Sequence, residues 1–139
     1  MLDQEAIMRE AGELQAIRGR VIQGDKLGRT IGFPTANMIV EGDAKPRYGI
    51  YASRVTLEDG RMFDAATNFG VRPTFSPPKE LLETFIFDFT GDIYGQEISV
   101  ELVHFLRPEE KFDDLQQLVA QMSRDCCAAR TILLRYRQR

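Results

Sequence analysis

The sequence predicts a mainly β protein: a small antiparallel barrel followed by one long helix. Short segments of alternating apolar and polar residues recur between residues 15 and 105, and clusters of turn residues separate them. Short strands separated by turn residues at this spacing suggest an antiparallel barrel rather than a parallel sheet with crossover helices, and a long helical period follows Asp113. With 139 residues and 43% hydrophobic content, the chain suits one domain able to bury a core without disulfides or metals.

Taken in order, residues 3–14 carry a short apolar stripe (Ile7, Met8, Ala11, Leu14) with Asp3 as a cap, which predicts a short N-terminal helix weakened at Gly12. Residues 1–14 are read as a helical lead-in and 15–139 as the barrel domain with its C-terminal helix. Ile17, Gly19 and Val21 alternate with Arg18 and Arg20, so residues 15–23 form a strand that delivers the chain into a Gly-rich loop. Residues 48–57 form the next clear strand. The turn Glu58-Asp59-Gly60 then reverses the chain into a returning strand over 61–67. Residues 82–89 and 98–105 complete the strands, joined through Thr90-Gly91-Asp92 and Tyr94-Gly95. Pro108 ends the β region. Asp113 caps a helix in which Leu115, Leu118, Val119, Met122, Cys126 and Ala129 recur at three- and four-residue steps. Arg130, Arg135, Arg137 and Arg139 near its end complement the helix dipole and read as a solvated cap.

Composition narrows the partners. Lys and Arg total 18 against 21 Asp and Glu, a net charge of -3, so there is no overall basic field to recruit nucleic acid. Cys126 and Cys127 are adjacent within the helical pattern, where neighbouring side chains diverge, and neither has a second Cys or a His at metal-ligand spacing. That usage fits a reducing cytoplasm. The N-terminus lacks the basic and apolar regions of a signal peptide, and no apolar run approaches a membrane span.

The densest chemistry lies in Gly24-Asp25-Lys26-Leu27-Gly28-Arg29-Thr30-Ile31-Gly32-Phe33-Pro34-Thr35-Ala36-Asn37. Gly24, Gly28 and Gly32 permit close backbone approach, so amide groups can converge on a phosphate while Lys26 and Arg29 add charge. Pro34 stiffens the chain ahead of Thr35 and Asn37, whose oxygens project from one side of an extended segment and suit a shared magnesium ion. The string matches neither a Walker loop nor Gly-x-Gly-x-x-Gly. On glycine spacing alone, a hairpin loop with a Pro-Thr turn fits equally well.

The whole string resembles the signature of the riboflavin kinase family, which also forms the C-terminal half of bacterial bifunctional FAD synthetases. Further segments agree in order: Gly49-Ile50-Tyr51-Ala52, Asn68 to Phe75, Glu83 to Phe89, Asp92-Ile93-Tyr94-Gly95, and Phe105 to Glu109 through Lys111-Phe112. The resemblance implies a six-stranded Greek-key barrel with flanking helices, and transfer of the γ-phosphate of ATP to riboflavin with Mg2+. It also implies a chain joined to, or cut from, an adenylyltransferase half. A flavin- or nucleotide-binding module without turnover is the alternative.

Glu83 shares strand parity with Phe85, Phe87 and Phe89, which sets a carboxylate among aromatic rings and partly desolvates it; a frayed strand start with its head in water is the competing reading. The resemblance gives Glu83 the role of general base toward the ribityl hydroxyl. Where the family usually has a histidine two residues on, this chain has Phe85, which leaves the orientation of Glu83 open. Asn68 stands either near nucleotide or flavin or in an Asn-x-Gly turn, and Arg107 either near the ligand, as the resemblance implies, or in solvent. One or two of Phe33, Phe75, Phe85, Phe87 and Phe112 are expected to line a flavin slot, the rest being core. His104, with no second histidine in the chain, is read as a strand residue.

Overall fold

The computed structural model describes residues 15–23, 34–40, 45–72 and 77–137. The N-terminal helix expected over 3–14 lies outside them, as do Gly24, Lys26, Gly28, Arg29, Gly32, Phe33 and Phe75. Six strands form one sheet: β1 (Gln15–Arg20), β2 (Ala36–Ile39), β3 (Gly49–Thr56), β4 (Met62–Arg72), β5 (Lys79–Ile86) and β6 (Glu97–Arg107). Their spatial order is β1-β6-β3-β4-β5-β2, and every pair is antiparallel. β3, β4 and β5 meander, then β6 returns beside β3, which is the Greek-key order. Beyond β1, Ile22 N–H donates to the Asn37 carbonyl at 2.8 Å, linking the two outer strands and nearly closing the barrel.

The β3–β4 hairpin forms as its Asp-Gly pair predicts. Gly60 takes φ 89°, a left-handed value that costs glycine little, and Asp59 Oδ1 accepts from the Arg61 amide at 3.0 Å. β2 was legible only as an extended segment, because Pro34 and the short run Ala36–Ile39 leave too little alternation to register as a strand. β5 starts earlier and stops sooner than its apolar run suggests. Phe87 and Asp88 form a turn in which Asp88 takes φ 56°, tolerable for Asp, so the strand period breaks before Phe89. Phe85 and Phe87 consequently share the outer face, whereas Phe89 swings under the barrel against Phe63, ring centroids 5.2 Å apart.

Two apolar layers result. Tyr51, Val55, Phe69, Leu82, Val100 and Leu102 fill the barrel interior, where Ser53, Thr67 and Thr84 satisfy one another through hydroxyl contacts of 2.6 and 3.1 Å. Ala52, Phe87 and Val103 on the outside pack against Ala129 and Leu133 of α1 (Leu115–Arg137). Register shifts in β6 beside Ile50/Tyr51 and Ala52/Ser53 accompany the outward placement of Val103 and Leu106 against the helix.

Asp114, not Asp113, caps α1: its Oδ1 accepts from the Gln117 amide at 2.7 Å. Arg130, Arg135 and Arg137 at the basic end of the helix are exposed, as a solvated cap requires, and two of them also find partners; Arg139 lies outside the described residues. Arg130 pairs with Asp88 at 3.0 Å and stacks over Phe87 at 4.3 Å, and Arg137 pairs with Asp64, so acids displayed by the barrel capture these cations. Among the described residues no helix is long and apolar enough to cross a membrane.

Candidate active site

Strand register assembles the site. Asn37 on β2 stands opposite Glu83 on β5; Glu83 stands opposite Asn68 on β4, Asn68 opposite Ile50 on β3, and Ile50 opposite Arg107 on β6. Directly opposed residues present their side chains on one face, about 5 Å apart. Four residues singled out in four separate sequence segments therefore form one transverse row, with Glu83 flanked by two asparagines.

A cavity of ≈ 270 Å³ opens between this row and α1, bounded by Asn68, Glu83, Phe85 and Arg107 from the sheet side and by Leu118, Met122 and Cys126 of the helix. A second, of ≈ 310 Å³, lies on the other side of β2, bounded by Gln23, Pro34, Asn37, Asp92 and Tyr94. Thr35 and Phe85 line both chambers, so the two meet beside Asn37 and Glu83. Of the aromatic residues proposed for a slot, Phe85 and Phe112 line the first cavity while Phe87 is core. His104 lines neither chamber.

Asn37 is only 4% exposed; its Nδ2 donates to the Thr35 carbonyl at 3.3 Å, while its Oδ1 is buried without a partner. Asn68 Oδ1 is likewise buried and unpartnered. Leaving such an acceptor unmet costs about 1–3 kcal/mol, and two of them on either side of a carboxylate are acceptors held ready for something brought from outside. Glu83 itself does not stand alone among aromatic rings. Arg72, projecting from the same face of β4, donates its Nε to Glu83 Oε1, which compensates the charge that the sequence placed in apolar surroundings.

Arg107 points its fork at Asp125 of α1, with Nε–Oδ1 2.9 Å and Nη2–Oδ2 2.7 Å. Asp125 holds the guanidinium pKa above its ordinary value despite the opposing effect of burial. Arg107 is therefore fixed in the cavity wall and is not a solvated arginine. Sequence reasoning passed over both Arg72 and Asp125. An acid falling between Met122 and Ala129 on the apolar stripe of a helix was the available signal for Asp125, since a carboxylate on a buried face requires a partner.

Burial, and secondarily Asp125, push the Cys126 thiol up to about 11. At pH 8 roughly one such thiol in a thousand is ionised, so iodoacetamide should label exposed Cys127 well ahead of Cys126. Peptide mapping by mass spectrometry checks this, and equal labelling would contradict it.

The family model described as Flavokinase: Riboflavin kinase matches residues 11–133. Among curated proteins, the bifunctional riboflavin kinase/FMN adenylyltransferase of Haemophilus influenzae is 46% identical over 114 residues, covering 82% of this chain and 37% of that protein. The protein of the same name from Escherichia coli K12 is 42% identical over 115 residues, covering 83% and 37%. The chain thus spans little more than a third of the length of these relatives. Among solved structures, one from Streptococcus pneumoniae described as a macrolide-efflux protein superimposes with TM-score 0.77 at 30% identity, covering 92% of this chain and 46% of that one. Riboflavin kinase from Trypanosoma brucei, at 22% identity and TM-score 0.61, covers 86% of this chain and 79% of its own and shares the fold. With its family signature matched from one end of the barrel into the last helix, the chain belongs to the riboflavin kinase family.

Proposed function

We propose that this domain transfers the γ-phosphate of ATP to the ribityl 5'-hydroxyl of riboflavin, giving FMN and ADP, and that it is the kinase portion of a longer enzyme of the cytoplasm. The observation that carries the reading is the transverse row, which sets a carboxylate between two unmet buried acceptors where two chambers meet. The chamber under α1, walled by Ile50, Phe85, Phe112, Leu118 and Met122, suits a flat apolar ring. The second chamber is lined by Gln23 and Pro34, the described residues that flank the Gly24-to-Gly32 segment in sequence, and the amides and Lys26 of that segment suit phosphate.

Phosphoryl transfer needs alignment and charge neutralisation more than covalent chemistry. Glu83 accepts the proton of the primary hydroxyl, Asn68 orients the hydroxyl-bearing chain, and Phe85 separates the ring chamber from the phosphate chamber. Thr35 and Asn37 fit magnesium: the buried, unmet Oδ1 is a hard neutral donor, and a site of neutral oxygens suits a cation that arrives already bound to nucleotide phosphates. Mg2+ held there would supply neutralisation of the charge developing on the transferred group. FAD synthesis is not expected of these residues alone.

Incubating the protein with riboflavin and ATP, with and without magnesium, and resolving FMN by chromatography tests the reading. Saturable flavin or nucleotide binding without FMN would instead establish a binding module. Asn37→Ala should weaken nucleotide binding about tenfold in the presence of magnesium and hardly at all in EDTA. Isothermal titration measures both, and equal losses would remove Asn37 from the metal site.

A further inference from the structure

Glu83 has to be aimed as well as present, and Phe85, packed edge-on to Phe87 at 5.7 Å between ring centroids, has no polar group with which to aim it. Arg72 occupies the place from which this can be done. It lies on the same face of β4 as Asn68, and its side chain bridges three partners: Glu83 through Nε, the Val71 carbonyl at 3.0 Å through Nη1, and Glu109 at 3.6 Å, also through Nη1. Its side chain is only 24% exposed, and that of Glu83 19%, so the pair is sheltered from the screening that makes surface ion pairs weak. A guanidinium held at two of its nitrogens, Nε and Nη1, loses rotamer freedom, and it passes that constraint to the carboxylate it grips.

Glu109 completes the arrangement from the segment after β6, and Gly70 admits it. A Cβ on Gly70 would lie 1.5 Å from Glu109 Oε1 and 2.6 Å from its Cδ. Gly70 stands between Asn68 and Arg72 on the site-facing side of β4, so its missing side chain is the space through which Glu109 reaches the guanidinium.

We propose that Arg72 is a positioning residue for phosphoryl transfer. Clamped by Glu109 over Gly70, it holds the Glu83 carboxylate toward the riboflavin hydroxyl. This rests on the reading of Glu83 as the base. Arg72→Ala should lower kcat about 10- to 100-fold, the cost of a misaimed reacting group, with KM for ATP unchanged. Arg72→Lys should recover part of the loss, since it restores the charge but not the fork. Gly70→Ala, which displaces only the flexible tip of Glu109, should lower kcat to a lesser degree, and in a Glu109→Ala background it should have no further effect.

The deciding measurement is a kcat cycle of Arg72→Ala with Glu83→Gln, with thermal melts of every variant. If Arg72 acts through Glu83, its loss adds nothing once Glu83 is gone. Equal effects in both backgrounds, or an Arg72→Ala enzyme at full or raised kcat, would overturn the proposal. Full turnover by Glu83→Gln alone would instead overturn the base assignment, which keeps the two failures apart. Should Arg72→Ala fail to fold, the Gly70/Glu109 cycle decides the matter: additive losses there would refute the clamp.

Discussion

Glu83→Gln should lower kcat for FMN formation by about 10²- to 10⁴-fold while leaving nucleotide affinity intact, equivalent to roughly 3–5 kcal/mol on the barrier. Glutamine matches glutamate in size and can still accept a hydrogen bond from Arg72 through its amide oxygen, so strand pairing with Asn37 and Asn68 is preserved. What disappears is the capacity to take a proton. The position of Glu83 in the row bears on the size of the loss, because no other carboxylate stands within the row to substitute; Glu109, which also lines the first chamber, lies over Gly70 and is paired with Arg72. Single-turnover measurements at saturating ATP and magnesium isolate the transfer step, and fluorescence titration with nucleotide supplies the affinity control. A variant within about twofold of the parent kcat would remove Glu83 from the proton transfer and return the site to a purely positional account.

Legibility from sequence followed the range of the interaction. Strands β1, β3 and β6 and the Asp59-Gly60 hairpin were readable because alternation and turn chemistry are local properties. β2 and the end of β5 were not. Both depend on what lies opposite: Ala36–Ile39 becomes a strand by pairing with Leu81–Thr84, and Phe89 leaves the period because Asp88 can adopt a left-handed backbone. The same divide runs through the site. Glu83, Asn37 and Asn68 could be chosen for their chemistry, but that they form one row is a matter of register between distant segments. Arg72 belonged to the quoted Asn68-to-Phe75 string and drew no attention there. Its meaning comes from Glu83, eleven residues on in sequence, and Glu109, both reached only through the fold. The unexpected ion pairs of Arg130 and Arg137 have the same origin, since helix periodicity reports which face is polar and not which acids the barrel presents to it.

Asp125→Ala carries the largest expected loss of stability, about 3 kcal/mol. Asp125 is 8% exposed and accepts three hydrogen bonds, two from Arg107 and one from Gln121 Nε2 at 3.0 Å. Removing it strands the Arg107 guanidinium, whose side chain is 18% exposed, with only the Pro108 carbonyl at 3.0 Å and Glu110 at 3.8 Å as substitutes. Breaking a buried pair from one side costs about 3–5 kcal/mol, and the partial exposure of Arg107 places this case at the lower end. For a domain of this size that corresponds to a fall in Tm of about 10 °C. Asp125→Asn keeps acceptor capacity while losing the charge, and about half the effect should remain. Replacing both partners by apolar residues, as in Arg107→Met with Asp125→Leu, should recover most of the stability, because the unmet charge is what costs. Function should follow a different course. Through this pair α1 is pinned where Leu118, Met122 and Cys126 wall the first chamber, so the loosened helix of Asp125→Ala should raise KM for riboflavin and leave KM for ATP unchanged. Thermal melts and steady-state kinetics on the three variants separate these contributions. A Tm for Asp125→Ala within about 2 °C of the parent would mean that water reaches Arg107 freely and that the pair does not anchor the helix.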